Sequence, residues 1–332
     1  MGVTIGDPTA GAGVDESRAV VLEDVLRTPK SPRLPIRLSG KDKGGASKGK
    51  GPLLPTHDAF DPKKAPALHV GDDCILDIPD ESSTMLSPVG LGEGLVQCDL
   101  ERVWGGFGRG PWMTEHIGFR LYKAGTDELI LSARKRGSEY LISAYTDENH
   151  DNNYCAVLSG NFMKTDFRLY SRWCTHCEPN ASPYSCQSVK ALAEIGGVIY
   201  EKNLKGDCPR RISFAMPQVG PKAATFCPTC GEQGMVEKFL GGEWDEMEAF
   251  ASKPPKWSEE KQRFEGGFTD RVKVASVRNY QLVSTGHGAD KVILQFGKRG
   301  KKKYSLDFHH PFSPIQAFAA AITSFEAWGV CT

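Results

Sequence analysis

From about Met85 to residue 308 the chain is a succession of short runs in which apolar and polar positions alternate, separated by Gly, Pro, Asn or Asp. Side chains along an extended strand point alternately to two faces, so this texture predicts antiparallel strands with one face buried. The runs at 95–100, 118–123, 128–133, 139–145, 154–158, 167–171, 197–201, 211–215, 264–268, 275–283, 291–297 and 304–308 are the expected strands. No repeat recurs along them, which argues against a propeller. The last element has another period. Ser313 is a suitable N-cap, Pro314 fits a first helical turn, and 315–328 reads as a helix with Gly329 as its stop. Ala317, Phe318, Ala319, Ala320, Ala321, Ile322 and Phe325 cover nearly every face of that helix, as befits one surrounded by protein. The expected fold is therefore mainly β: a closed antiparallel barrel of about 12 strands around a central hydrophobic C-terminal helix.

Residues 1–84 differ in composition. They are poor in aromatics and rich in Gly, Lys, Pro and Ser, a mixture that buries too little apolar surface to offset its ordering entropy. We expect a disordered basic arm there, with one short amphipathic helix at 16–27 built on Val20, Val21, Leu22, Val25 and Leu26. A helix that short is stable only against a partner. With 41 basic and 41 acidic residues the chain has no net charge, so any attraction to an anionic surface must arise from local clusters. No apolar run is long enough to span a bilayer and no signal-peptide pattern opens the chain, so a cytoplasmic protein is expected.

Several segments together closely resemble the tubby and tubby-like family. They are Ser132-Ala133-Arg134-Lys135-Arg136, Glu139-Tyr140-Leu141-Ile142-Ser143 and Asn161-Phe162-Met163-Lys164-Thr165-Asp166-Phe167. Further along come Lys253-Pro254-Pro255-Lys256-Trp257, the run from Arg271 to Leu282, Val292-Ile293-Leu294-Gln295-Phe296-Gly297 and Gln316-Ala317-Phe318-Ala319 with Ser324-Phe325. The resemblance covers 85–332. It implies a barrel threaded by the C-terminal helix, in agreement with the pattern above. It also implies binding of phosphatidylinositol bisphosphate, peripheral association with the plasma or ciliary membrane, and a part in carrying membrane receptors toward cilia. The chain departs from the family in a shorter turn at Arg134-Lys135-Arg136-Gly137-Ser138, in Ser159 where relatives carry arginine, and in cysteine-bearing insertions near 172–190 and 221–250.

A phosphorylated inositol offers several negative oxygens, which demand cations and donors converging from different strands. Arg134, Lys135 and Arg136 occupy the family motif and are the first candidates; Arg109, Arg120, Lys123, Asn161 and Lys164 are the expected neighbours. Without the resemblance, such a cluster reads as a solvated basic turn. The hairpin Lys298-Arg299-Gly300-Lys301-Lys302-Lys303 offers a second attachment, or simply keeps a strand edge in solution.

Cys174-Thr175-His176-Cys177 and Cys227-Pro228-Thr229-Cys230 are two C-x2-C pairs, the spacing of a structural tetrahedral zinc site. In an antiparallel sheet the first pair follows the strand at 167–171 and the second follows the strand at 211–215, two strands later, so both leave the same end of the barrel. Cys174, Cys177, Cys227 and Cys230 are the expected zinc ligands, with Cys186 or His176 as substitutes; otherwise they are free thiols in loops.

A nucleic-acid-binding regulator is the alternative function, since basic clusters also meet phosphate backbones, but no DNA-reading helix motif is present and the net charge is zero. An enzyme is not expected, because His116, His309 and His310 have no nucleophile or carboxylate pair at interpretable spacing and no catalytic residue is assigned.

Overall fold

The computed structural model describes residues 85–327 apart from 107–114, 145–153, 172–192, 202–210, 221–223, 225, 228–232, 255, 261–262 and 286–290. The arm and its helix at 16–27 lie outside the described residues.

Twelve antiparallel strands close into a barrel. In chain order they begin with β1 (Val96–Gly106), β2 (Glu115–Lys123), β3 (Leu129–Arg136), β4 (Glu139–Ser143), β5 (Ala156–Gly160) and β6 (Asp166–Ser171). β7 (Ala193–Tyr200), β8 (Ile212–Pro217), helix α1 (Met235–Gly241) and β9 (Met247–Ser252) follow. β10 (Lys256–Ser258) and β11 (Arg263–Glu265) form a separate two-stranded sheet. β12 (Tyr280–Ser284), β13 (Val292–Gly300), β14 (Lys303–Phe308) and helix α2 (Pro314–Glu326) complete the domain. Neighbours around the barrel are sequential except where β12 pairs with β9 and where β14 returns to β1 and closes the ring.

Helix α2 fills the lumen, and its residues from Ile315 to Phe325 are all buried. Its start is fixed by a reciprocal cap: Ser313 Oγ accepts from Gln316 N at 3.3 Å and Ser313 N donates to Gln316 Oε1 at 2.9 Å. Aromatic rings hold it at both ends. Phe312, just before the helix, meets Phe214 and Phe250 with centroids 4.8 and 5.0 Å away. Phe325, in its last turn, meets Phe119 at 4.8 Å and Tyr304 at 5.0 Å. The polar groups on α2 are paired, as burial requires: Gln316 Nε2 donates to Ile195 O at 2.8 Å, and Thr323 shares a 2.8 Å hydrogen bond with Tyr200.

The strand expectations need four corrections. The run at 264–268 is not a barrel strand, and 275–279 is a turn that precedes β12. This stretch straps the outside of the barrel, where the Arg271 guanidinium reaches Asp99 on β1 at 2.7 Å and Asp307 on β14 at 2.8 Å. The missing barrel strand is β9, whose residues fall partly within the 221–250 stretch read as an insertion; α1 lies there too. β7 also starts at Ala193, earlier than the expected 197, and passes through Gly196-Gly197. Packing demands Gly197 and leaves little room for a side chain at Gly196. A Cβ on Gly197 would lie 2.4 Å from Val236 of α1 outside the barrel, and one on Gly196 would lie 3.1 Å from Phe214 inside it.

Gly197→Ala is thus expected to cost about 1–3 kcal/mol in urea unfolding through overpacking, and Val236→Ala in the same chain should recover part of that loss. Equal losses in the single and double variants would show that the close approach is not the cause.

Candidate anion-binding site at one end of the barrel

The C-terminus of α2 emerges at the end of the barrel that carries the β3–β4, β5–β6 and β13–β14 turns. Strand alternation divides the basic motif there. Lys135 lies across from Tyr140 and continues the inward row of Leu131 and Ala133, whereas Arg134 and Arg136 belong to the outward row. Inside, Lys135 Nζ donates to both carboxylate oxygens of Glu326 at 2.8 Å, and the Tyr140 hydroxyl donates to Oε1 at 2.7 Å. Burial alone would raise the Glu326 carboxyl, but the hydrogen bonds from Lys135 and Tyr140, with the charges of Lys135 and Lys164, hold it below the usual carboxylate range. The same buried carboxylate, after burial itself, pushes the Tyr140 hydroxyl well up. Arg102 and Arg278 complete the inner wall, with guanidinium carbons 5.5 and 5.3 Å from the Phe325 ring centre.

Outside, Arg136 is exposed and stands opposite Glu139 in the β3–β4 register, and Glu139 stands opposite Ser159 on β5. Burial raises the Glu139 carboxyl, and the Ser159 hydroxyl and the charges of Arg136 and Lys164 partly oppose that rise. The Asn161 side chain builds the adjacent β5–β6 turn. Its Oδ1 accepts from Thr165 N at 2.9 Å and Asp166 N at 3.2 Å, and its Nδ2 donates to Thr165 Oγ1 and Asp166 Oδ2. Lys164, at φ 53°, reaches from this turn to Ser138 O at 3.3 Å, so the two turns touch. Burial lowers the Lys164 ammonium from its usual value; Lys135 nearby lowers it further, and Glu326 and Glu139 pull it back. An additional anion at this spot would restore it.

The structure therefore brings Arg134, Lys135, Arg136, Asn161 and Lys164 together, with Asn161 acting as the turn's scaffold. Arg120 lies in mid-strand, opposite Glu101 and Ser132. Lys123 does not join the group: β2 carries it to the opposite end, where it pairs with Glu128 at 3.6 Å. Arg109 lies outside the described residues. Sequence reasoning missed Glu326, Tyr140, Arg102 and Arg278, since only the return of α2 up the lumen joins them to Lys135. In the β13–β14 hairpin, Arg299 is engaged with Asp99, while Lys301, Lys302 and Lys303 are exposed.

The opposite end carries the cysteine connections. β6 ends and β7 begins there, and β8 ends there. Cys227 is fully buried beside the first residues of β7, because Glu194 N donates to Phe226 O at 2.6 Å. Glu194 then accepts from Met235 N at 2.8 Å and Val236 N at 3.2 Å, anchoring the start of α1; burial pushes its carboxyl up to about 7. Cys174, Cys177 and Cys230 lie outside the described residues. Among the described residues no three His, Cys, Asp or Glu side chains converge on one point. His309 and His310 each place Nδ1 against a backbone carbonyl, of Gly94 at 3.1 Å and Val89 at 2.8 Å, tying the strand-to-helix connection to the segment before β1. Among the described residues no helix is long and apolar enough to cross a membrane.

Glu326→Gln removes the charge that holds Lys135 and is expected to lower stability by about 1–3 kcal/mol at neutral pH. Because the folded carboxyl titrates below its unfolded value, its contribution is present above the unfolded pKa and disappears as pH falls through the lowered one. Thermal unfolding of wild type and variant should therefore converge in acid; a gap independent of pH would deny the ion pair.

The Tub family model matches residues 86–327. Tubby protein homolog 1 of Caenorhabditis elegans is 29% identical over 258 residues, covering 71% of this chain and 58% of that protein. Tubby-related protein 2 of Homo sapiens is 28% identical over 261 residues, covering 74% and 48%. Tubby-like F-box protein 2 of Arabidopsis thaliana is 27% identical over 307 residues, covering 77% and 76%. This chain thus spans about half the length of the first two relatives.

Proposed function

This chain belongs to the Tub family, and from that premise we propose that it binds phosphoinositide headgroups and thereby attaches peripherally to a membrane. The observation that carries the reading is the contact between two turns at one barrel end, which gathers Arg136 and Lys164 outside and Lys135 just within. A lysine whose ammonium is depressed by burial and a like charge gains from an incoming anion, which is the demand a phosphate meets. Ser159, opposite both Glu139 and Arg168, leaves one fewer cation than relatives carry, so the headgroup would rest chiefly on the two turns. An adaptor role, with residues 16–27 engaging a trafficking partner and carrying receptors toward cilia, extends the same proposal; deleting 16–27 should then abolish partner capture and spare vesicle binding.

We further propose that the two cysteine pairs hold a structural zinc ion. Three facts support it: the connections that carry them leave one barrel end, Phe226 is hydrogen-bonded to the start of β7, and Cys227 is buried next to it. Four thiolates would stitch two long connections together. Metal analysis of the purified chain should give one zinc per molecule, lost on replacing Cys227 and Cys230 by serine; metal-free protein with all thiols titrating rapidly would refute it.

For the lipid site, co-sedimentation of the full chain with vesicles of each phosphoinositide should show preference over phosphatidylserine at equal charge. Arg136→Ala and Lys164→Ala should each weaken binding about fivefold, since a cation near an anionic surface contributes about 1 kcal/mol. Equal binding to phosphatidylserine, or variants that bind as wild type, would remove the proposal.

A further inference from the structure

The β5–β6 turn presents two large apolar side chains to solvent. Phe162 is 98% exposed, more than any other large hydrophobic among the described residues, and Met163 is 61% exposed. Neither exposure comes from a loose segment. The Asn161 side chain ties the backbone of Thr165 and Asp166, Lys164 N donates to Asn161 O at 3.0 Å, and Lys164 crosses to Ser138. A turn so firmly built to hold a phenyl ring away from the core calls for a partner that takes the ring.

Charge decides which partner. Lys164, the next residue of the turn, is half-buried and reaches back to Ser138, and across that contact Arg136 stands near the tip of the β3–β4 hairpin. Lys301, Lys302 and Lys303 crown the β13–β14 hairpin at the same barrel end, and Trp104 is 46% exposed near the end of β1, with the Arg102 guanidinium stacked 4.6 Å from its centre. An apolar tip with cations set behind it matches the layered chemistry of an anionic bilayer, with hydrocarbon below and phosphate above. A protein groove would supply the first layer without this ordered second one.

We propose that Phe162 and Met163 form an insertion tip that enters the acyl region of an anionic bilayer while the adjoining cations stay at the phosphate level. The inference rests on the membrane-binding reading above and adds a second, non-electrostatic attachment to it. The tip and the headgroup contacts are adjacent, so both engage in one orientation of the barrel. The avidity that a few exposed cations lack comes from the buried phenyl area.

The test separates the tip from the headgroup pocket. The full chain and a Phe162→Ala, Met163→Ala variant would be compared for binding to phosphatidylcholine vesicles doped with phosphatidylinositol bisphosphate, to phosphatidylserine vesicles of equal charge, and to soluble inositol trisphosphate. Vesicle affinity should fall about ten- to hundredfold in the variant, with soluble headgroup affinity unchanged, and Phe162→Leu should retain most of the vesicle binding. A drop on both vesicle types, without preference between them, would support insertion and refute the phosphoinositide reading. Unchanged vesicle affinity, an equal loss for the soluble headgroup, or a wild type that binds no vesicle would overturn the insertion tip. So would capture of the tip by a protein while vesicle binding is intact in the variant.

Discussion

A helix that is apolar on every side cannot face water, and burying α2 is the constraint from which the other features of this molecule follow. The barrel must be wide enough to admit a helix and closed enough to leave none of it wet, and twelve strands with sequential neighbours meet both demands. Closure also pairs every strand edge, which removes the usual route by which a large antiparallel sheet aggregates. The helix is held by aromatic contacts at Phe312 and Phe325 and by polar links at Gln316 and Thr323, so it is fixed in depth as well as in direction.

That fixed depth couples the core to the chemistry at the rim. Because α2 ends level with the β3–β4 turn, Glu326 arrives beside Lys135 and Tyr140, and one of the three motif cations is already neutralised by the protein's own carboxylate. The cations offered outward are those on the other side of the strand. A cluster of consecutive basic residues thus serves two purposes at once: Lys135 closes the end of the core, and Arg134 and Arg136 face away from it. The neighbouring turn contributes its own lysine along with the exposed phenyl ring, so charge and apolar surface share one edge of the molecule.

Eleven of the twelve barrel strands were legible in alternation, and the all-apolar last helix pointed to a sheet closed around it. β9 was not legible, since Met-Glu-Ala-Phe-Ala-Ser has no β-branched residue and no regular alternation of burial. The 264–268 run had only Phe264 and Phe268 to suggest a strand, with Gly266 and Gly267 between them; the ion pairs of Arg271 with Asp99 and Asp307 hold the chain that follows it against the outer wall. The strand expected from Gly197 starts four residues earlier, and a sequence does not announce that a valine outside leaves no room for a Cβ on Gly197 while a phenylalanine inside leaves little for one on Gly196. At the rim, Arg134 to Arg136, Asn161 and Lys164 were found through motif residues, whereas Lys123 was misplaced by proximity in sequence. Only ten residues lie between Lys123 and Arg134, yet the chain turns after Lys123 and β3 runs back along β2, setting Arg134 across from Gly118 toward the other end.

By itself, the sequence determined what is local: which runs extend, where the last helix starts, that this helix must be enclosed, and that cysteine pairs lie in long connections two strands apart. Each follows from periodicity, capping or spacing over a few residues. Only the tertiary structure decided which cations share an end, which of them the helix carboxylate neutralises, and which apolar side chains remain outside. Those outcomes depend on strand direction, on register and on the level at which α2 stops, quantities set by the packing of the whole barrel and by no single segment of it.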